Sequence, residues 1–273
     1  LGLLMKKIEL SSVAHSFVVG SKVDDLEPNV SENAQFIENG KPVGFYLRDI
    51  SQWSEKAGKL ADLADYELRS ERVPKAEMSR GPQGSKAAKL ARQQAGINLV
   101  TQWSVILGAI PPKPHMRRNY ATISSVHKVE SAKNYIKAMR LLCEEAEKII
   151  SWVMPEQCHL QRELIQKSVP EKYRFGSMFS SSIANCNIAA DYHIDKANLL
   201  GCVNVIISKR KKAIGGNTTI PSYGVTVESK DNAMLVYPAW KDLHGVTPIY
   251  PTGTGGYRNT LVFYALGSLQ GKR

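Results

Sequence analysis

Residues 201–250 read GCVNVIISKRKKAIGGNTTIPSYGVTVESKDNAMLVYPAWKDLHGVTPIY. Short runs rich in valine, isoleucine and tyrosine alternate here with glycine, proline and Lys-Asp-Asn turn signals. The same alternation continues on both sides, and it predicts strands at 182–189, 201–208, 223–228, 233–237, 243–249 and 258–266. Short strands at regular spacing are typical of an antiparallel sandwich or a jelly-roll barrel.

The part of the chain before this region has a different pattern. A helix is predicted at 52–68. Apolar residues at three- and four-residue steps predict a second helix at 131–154, stopped by Pro155. The apolar run 97–107 fits either a strand or a buried helix. We therefore expect a basic α+β segment, 1–110, packed on a core, 111–273, as one compact unit.

Composition excludes several classes of protein. The 273 residues are 43% hydrophobic and 22% charged, which is typical of a globular protein. No apolar run approaches the ~20 residues of a membrane helix, so no membrane is expected as a partner. Four cysteines without a CxxC pair predict reduced thiols and no structural zinc. We expect an intracellular monomer, cytoplasmic in a microbe or virus and nuclear in a eukaryote.

Positive charge is concentrated in two windows. The chain carries 36 basic and 25 acidic residues. Residues 69–93 have a net charge of +5, and residues 111–140 have a net charge of +6. A clustered excess is typical of a protein with a polyanionic partner, although a solvated basic face would look the same.

A metal site is indicated by Asp191-Tyr-His193-Ile-Asp195. Because side chains two apart on a strand share a face, His193 and Asp195 can both point into the barrel. His244, at the start of another predicted strand, supplies a second imidazole, unless it is only a turn residue. Two histidines and one carboxylate leave three positions open on Fe(II), as in non-haem iron oxygenases.

The open positions suit a 2-oxoacid and dioxygen. A 2-oxoacid chelates through its keto oxygen and carboxylate, and a second, distant carboxylate needs a bidentate cation. Arg258 opens the last predicted strand and shares a face with Thr260. The alternative for Arg258 is a surface cation. The full set is the one expected of an Fe(II)/2-oxoglutarate dioxygenase.

At this point the chain resembles the TET/JBP family, the Fe(II)/2-oxoglutarate dioxygenases that oxidise 5-methylpyrimidines in nucleic acids, in its compact microbial and viral form. The matching stretches are Asn185-Cys-Asn187, His193-Ile-Asp195-Lys-Ala-Asn198, Gly215-Gly216 with Ile220-Pro-Ser-Tyr-Gly224, His244-Gly-Val-Thr-Pro248 and Arg258-Asn-Thr-Leu-Val-Phe263. More loosely, Lys113-Pro-His-Met-Arg-Arg-Asn-Tyr120 is similar to the basic stretch before the family's core. The resemblance implies a double-stranded β-helix core (jelly-roll, cupin-like) flanked by helices.

The resemblance also implies roles for the matched residues. His193, Asp195 and His244 would hold Fe(II), and Arg258 would bind the far carboxylate of 2-oxoglutarate with help from Thr260. Asn187 is expected at the cofactor and Asn185 near the substrate, unless the two pair with backbone at a polar edge. Asn198 is expected to brace the metal loop in the same environment.

The implied function is hydroxylation of the 5-methyl group of 5-methylcytosine in double-stranded DNA, with the base flipped out, giving 5-hydroxymethylcytosine and further oxidised forms. Thymine in DNA is the alternative substrate, and RNA, a nucleoside or a protein is possible for an enzyme of the same fold. A non-enzymatic nucleic-acid-binding barrel is a third hypothesis. Fe(II) and 2-oxoglutarate are the expected cofactors, with dioxygen as co-substrate and ascorbate as a support.

Phosphate contacts are expected from the basic windows and from the Lys-Arg-Lys-Lys run at 209–212, unless that run is a solvated hairpin tip. The candidate contact residues are Arg80, Lys86, Lys113, Arg117, Arg118, Lys209, Arg210 and Lys211.

Overall fold

The computed structural model describes residues 5–77 and 102–269. Its helices there are α1 (Glu55–Arg69), α2 (Lys133–Val153) and α3 (Pro155–Ser168). The strands are β1 (Lys6–Glu9), β2 (Ala34–Glu38), β3 (Lys41–Leu47), β4 (Ala76–Glu77), β5 (Trp103–Ile110), β6 (Thr122–Ile123), β7 (Ser181–Cys186), β8 (Ala190–His193), β9 (Asn204–Lys211), β10 (Ala213–Gly215), β11 (Thr218–Ile220), β12 (Val225–Val227), β13 (Met234–Tyr237), β14 (His244–Val246), β15 (Ile249–Pro251) and β16 (Tyr257–Tyr264).

Two sheets form the core. The large sheet has the order β1-β2-β3-β13-β9-β16-β7-β5-β4, with β6 paired to β5, and the small sheet has the order β12-β11-β14-β8. From β7 to β16 the chain passes repeatedly from one sheet to the other, while β10 and β15 form a separate ribbon. Side chains from both sheets, such as Tyr46, Leu235, Ile220 and Val225, pack in one cluster. This is the expected double-stranded β-helix, and the fold class is confirmed.

Helices cover the outer face of the large sheet. Residues of α1 and α2 pack against Ile207, Leu261 and Phe263, which alternate along β9 and β16 with residues that face the small sheet. Asp65 of α1 also accepts hydrogen bonds from the Tyr257 hydroxyl (2.8 Å) and from Asn259 Nδ2 (2.7 Å). The outer face is therefore held by apolar packing and by this polar contact to β16.

The two expected helices are present as α1 and α2. A third, α3, begins at Pro155, where the sequence predicts only an end. Proline fits the first position of a helix because the missing N–H has no partner to bond there. The run that fits either strand or helix contributes β5, a strand paired to β7, and residues 97–101 lie outside the described part of the chain.

The N-terminal segment extends the large sheet. β3 pairs with β13, and β2 pairs in turn with β3. Further along the chain β5 pairs with β7, towards the opposite edge of the same sheet. No helix within residues 5–77 and 102–269 is long and apolar enough to cross a bilayer.

Candidate active site

Strand register brings the two histidines together. β8 ends at His193 and β14 begins at His244, and the two residues are direct partners in the antiparallel pair. Their ring centroids are 4.3 Å apart. Direct partners of an antiparallel pair place their side chains on the same face, so both rings lie on one side of the small sheet.

Each imidazole is oriented by a backbone carbonyl two residues before it. His193 Nδ1 lies 2.8 Å from the Asp191 carbonyl oxygen, and His244 Nδ1 lies 2.9 Å from that of Asp242. Because a carbonyl oxygen only accepts, Nδ1 carries the proton in each ring and Nε2 keeps a free lone pair. Burial, together with the neighbouring His193, lowers the pKa of His244 to about 4. Burial thus favours the neutral form of the His244 ring, which is the form that a metal ligand needs.

Asp195 completes the group from a loop. The strand ends at His193, so Asp195 is not placed by strand alternation as the sequence pattern suggests. Its backbone N–H donates to the Ala239 carbonyl (3.1 Å), and its Oδ1 lies 3.6 Å from His193 Nε2. One donor atom from each of His193, Asp195 and His244 lies within 4.8 Å of the others. This chemistry and spacing fit a single Fe(II) ion.

Two asparagines hold the other carboxylate oxygen. Asn198 Nδ2 and Asn204 Nδ2 each donate to Asp195 Oδ2 at 3.3 Å, and Asn198 also donates to Asn204 Oδ1 at 3.1 Å. Asn198 thus contacts Asp195 within the metal loop. Asn204 is not among the candidates chosen from the sequence. The only feature that could have indicated it is its position as a polar residue just before the apolar run 205–207. Tyr237, whose ring meets His244 edge-on at 5.3 Å, has no sequence signal.

Arg258 lies buried inside the roll. Its Nε donates to Ser229 Oγ (2.9 Å) and its Nη2 to the Gly216 carbonyl (2.7 Å). Burial, and secondarily Arg210, lowers its pKa to about 9. Among the described residues no carboxylate forms an ion pair with it. A buried cation without an acid is costly, so this guanidinium fits a bound carboxylate such as the far end of 2-oxoglutarate.

Glycine is required beside Arg258. Gly216 has φ +70°, and a Cβ there would lie 2.9 Å from Arg258 Nε and 3.2 Å from its Cδ. Any larger residue would displace the guanidinium. This explains in physical terms why the sequence carries Gly215-Gly216 at this point.

The inner face of the large sheet, which also carries Arg258, is partly polar. One row across four strands holds Ser104, Asn185, Thr260 and Ser208. The next row holds Ile106, Ile183, Val262 and Ile206, all half-buried. These residues are on the face opposite the helices. Thr260 and Asn185 therefore face the interior of the roll, and Thr260 shares this face with Arg258, as the sequence predicts.

Asn187 contacts the backbone of Arg258. Its Oδ1 accepts a hydrogen bond from the Arg258 N–H (2.9 Å), and its own N–H donates to the Arg258 carbonyl (2.8 Å). It lies beyond β7 with φ +54°, so it does not continue the alternation of Asn185. The structure thus places Asn187 where it positions Arg258.

The predicted nucleic-acid contacts divide into several groups. Arg80 and Lys86 lie outside the described residues. Between β5 and β6, Arg117 is exposed, whereas Lys113 and Arg118 are half-buried. Arg118 Nη2 donates to the Pro111 carbonyl (2.6 Å).

The 209–212 run is not a hairpin tip. Residues 209–211 belong to β9, and the Lys209 ammonium is buried against Asp62 (2.7 Å), Asp231 (3.1 Å) and Asn232 (2.7 Å). Arg210 is half-buried and turned into the roll, and Lys211 is exposed. The run therefore offers Lys211, but not Lys209, to a partner at the surface.

Comparisons with known proteins agree with the fold. No family model matches the sequence, and no curated protein matches it. The solved structure of NgTET1 in complex with 5mC DNA has a TM-score of 0.60 at 12% identity, covering 99% of this chain and 85% of that one. Weaker matches are a full-length Neurospora crassa protein in complex with alpha-KG (TM-score 0.40, 10% identity, 81% and 74% covered) and a putative 2OG-Fe(II) oxygenase family protein from Caulobacter crescentus (0.43, 12%, 81% and 76%).

The chain shares its fold, a double-stranded β-helix, with the solved NgTET1 structure. At 12% identity the likeness to NgTET1 is a likeness of fold. The donor set and the buried arginine fit the two expected cofactors, Fe(II) and 2-oxoglutarate.

Proposed function

We propose that this protein is an Fe(II)/2-oxoglutarate-dependent dioxygenase that hydroxylates the 5-methyl group of 5-methylcytosine in DNA. The observation that carries the proposal is the convergence of His193, Asp195 and His244 in the roll that also buries Arg258. The likeness in fold to a protein solved with 5mC DNA supports the choice of substrate.

The chain's residues have distinct tasks in this proposal. His193, Asp195 and His244 would hold the metal, and Arg258 would hold the far carboxylate of 2-oxoglutarate, with Thr260 beside it. When bound, iron and 2-oxoglutarate supply an oxidation in which dioxygen converts a methyl C–H to C–OH, and 2-oxoglutarate becomes succinate and carbon dioxide. Asn198 and Asn204 keep Asp195 aimed at the metal, and Asn187 keeps Arg258 in place.

The site is open on one side and enclosed on the other. His193 and Asp195 are half-exposed, whereas His244 is buried, so a substrate would approach from the His193 side. A methyl group inside a duplex cannot reach such a recessed metal, so the base must leave the stack. One row of half-buried residues would give the inner face of the large sheet an apolar surface: Ile106, Ile183, Val262 and Ile206.

Basic residues at the surface would hold the DNA backbone. Arg117 and Lys211 are exposed, and Lys113 and Arg118 lie beside Arg117 in the same short segment. Met116 and Tyr120 of this segment are each 65% exposed, which adds apolar surface next to the charges. Phosphate contacts of this kind give affinity without sequence preference. Arg80 and Lys86 remain proposed contacts from the sequence.

The test is nucleoside mass spectrometry. Duplex DNA containing 5-methylcytosine is incubated with the protein, Fe(II), 2-oxoglutarate and ascorbate, and 5-hydroxymethylcytosine is expected. The Asp195→Ala variant is the control and should give none. Unmodified thymine in the same duplex tests the alternative substrate, since 5-hydroxymethyluracil would replace the expected product. Unchanged nucleosides of both kinds would reject a DNA 5-methylpyrimidine oxidase.

A further inference from the structure

Two arginines lie side by side on neighbouring strands of the roll. Arg258 of β16 and Arg210 of β9 are direct partners, so their side chains leave the large sheet on the same inner face. Arg258 Nη2 donates to the Gly216 carbonyl, and Arg210 Nη2 donates to the carbonyl of the preceding residue, Gly215. The two guanidinium groups therefore share one support, the Gly215–Gly216 turn.

That turn has little freedom to move. Gly215 and Gly216 have φ +73° and +70°, and a Cβ on Gly215 would lie 1.9 Å from the Pro248 carbonyl oxygen. The Gly216 N–H also donates to that oxygen (3.0 Å). Arg210 binds the Gly215 carbonyl, and Arg258 binds the next carbonyl, that of Gly216. Displacement of Arg210 would therefore shift the carbonyl that supports Arg258.

Neither guanidinium has an acidic side chain as a close partner. Within the described ranges no carboxylate forms an ion pair with Arg210 or with Arg258, and Arg210 Nε is buried without a hydrogen-bond partner. Asp231 bonds instead to the Arg210 backbone N–H (2.8 Å) and to Lys209. Burial lowers the pKa of Arg210. The negative charges of Glu228 and Asp231 raise it, but by less than burial lowers it. Neither guanidinium is therefore neutralised by a direct ion pair within the described residues.

We propose that Arg210 is a positioning residue of the 2-oxoglutarate pocket, where it fixes the turn that orients Arg258 and adds a second positive charge for the far carboxylate. This inference rests on the proposed 2-oxoglutarate dependence. It assigns Arg210 to recognition of a dicarboxylic 2-oxoacid, and it removes Arg210 from the surface that the sequence run 209–212 predicts for nucleic acid.

The experiment measures binding without turnover. The protein is loaded with Co(II), kept free of DNA, and titrated calorimetrically with 2-oxoglutarate and with 2-oxopentanoate, which has a methyl group in place of the far carboxylate. Arg210→Gln should weaken 2-oxoglutarate about tenfold, because a second charge acts on the carboxylate in a poorly solvated pocket. It should leave 2-oxopentanoate and Co(II) affinity unchanged. Arg210→Lys, which keeps the charge, should recover part of the loss.

Lys41→Gln is the matched control, because it removes one charge from an exposed lysine of β3 in the same sheet. It should bind both oxoacids as the wild type does. Should Arg210→Gln not fold, as judged by its melting curve, Arg210→Met keeps the aliphatic stem and replaces it in the test.

Three outcomes would count against the inference. Wild-type affinity for 2-oxoglutarate in the neutral variants would overturn it, and so would an equal loss for both oxoacids, which indicates general damage to the roll. Failure of the wild type itself to bind 2-oxoglutarate would instead reject the proposed function, and the inference with it.

Discussion

His193 and His244 face each other across the β8–β14 pair with ring centroids 4.3 Å apart, and each donates its Nδ1 proton to a carbonyl two residues earlier. The two strands thus present two Nε2 lone pairs in a preset direction. Such preset ligands reduce the ordering that metal binding would otherwise require.

Metal binding should depend on the three converging side chains. We expect His193→Ala and Asp195→Ala to lose Co(II) or Fe(II) binding in titrations, since each removes a donor from a set of three. DNA affinity should be unchanged, because neither residue lies in the basic segments. His159→Ala, which alters an exposed histidine of α3, is the control and should bind metal normally. Full metal binding by both alanine variants would contradict the site.

Asn204 should influence the metal through Asp195. Asn204→Ala removes a donor to Asp195 Oδ2, and we expect metal affinity to fall by roughly 10–100-fold, as is usual when the partner of a ligand is lost. The measurement is competition for Co(II) with a chelator of known affinity. Asn119→Ala, in an exposed loop, serves as the control. An unchanged affinity would show that Asp195 is oriented without Asn204.

Gly216 should be needed for cosubstrate binding rather than for folding alone. Gly216→Ala places a Cβ 2.9 Å from Arg258 Nε, and we expect affinity for 2-oxoglutarate to be lost on the Co(II)-loaded protein. Gly255→Ala is a close control, because Gly255 has φ +72° with no atom within 4 Å of the added Cβ. Both variants bear backbone strain of about 1–2 kcal/mol, and only the first strikes Arg258. Equal 2-oxoglutarate affinities in the two variants would contradict this explanation.

Glu145 should contribute to stability in a defined pH window. Burial alone would raise the pKa of this α2 carboxyl, but hydrogen bonds from Lys148, Lys56 and Ser54 outweigh it and lower the pKa from 4.5 to about 2. A lowered carboxyl pKa stabilises the folded state fully above the unfolded value, and the contribution disappears as the pH falls from 4.5 towards 2. Because both lysines are exposed, we expect Glu145→Gln to cost about 1–2 kcal/mol at pH 7.

The measurement for Glu145 is urea unfolding of the two proteins at several pH values. The difference between wild type and Glu145→Gln should shrink as the solution is acidified. The neighbouring exposed Glu144→Gln should show much the smaller change at pH 7. A difference that is constant from pH 7 to pH 2 would mean that charge is not its cause.

Arg117 should contribute to the salt dependence of DNA binding. Loss of one phosphate contact reduces the slope of log K against log salt by about 0.9. We expect this change for Arg117→Gln in fluorescence anisotropy titrations over a series of salt concentrations. Lys59→Gln, which alters an exposed lysine of α1 paired with Glu55, should keep the wild-type slope. Equal slopes for all three proteins would remove Arg117 from the interface.

Sequence patterns predict the roll and the convergence of its motifs well, for physical reasons. Alternating short strands and turn residues identify an antiparallel roll, and imidazoles, a carboxylate and a guanidinium at such spacing suit few other chemistries. Strand alternation correctly relates Arg258 to Thr260, since both lie within β16. It does not explain Asp195 or Asn187, because both lie beyond strand ends, where local turns decide direction.

Contacts between distant segments are what the sequence does not reveal. A run of four cations looks solvated, yet Lys209 is neutralised by Asp62, which is far away along the chain in α1. Asn204 and Ser229 become important only because the fold brings them to Asp195 and Arg258. A proline can end one helix or begin the next, and Pro155 begins α3.

Asp65 has a consequence for how the protein can be divided. It binds Tyr257 and Asn259, the two neighbours of Arg258 on β16, from a helix that precedes every metal-binding and oxoacid-binding motif in the chain. A fragment cut to the motif-bearing portion would strip these two residues of their shared acceptor and uncover the apolar surface beneath α1. A shortened form of this protein that keeps Arg258 in place must therefore retain that helix.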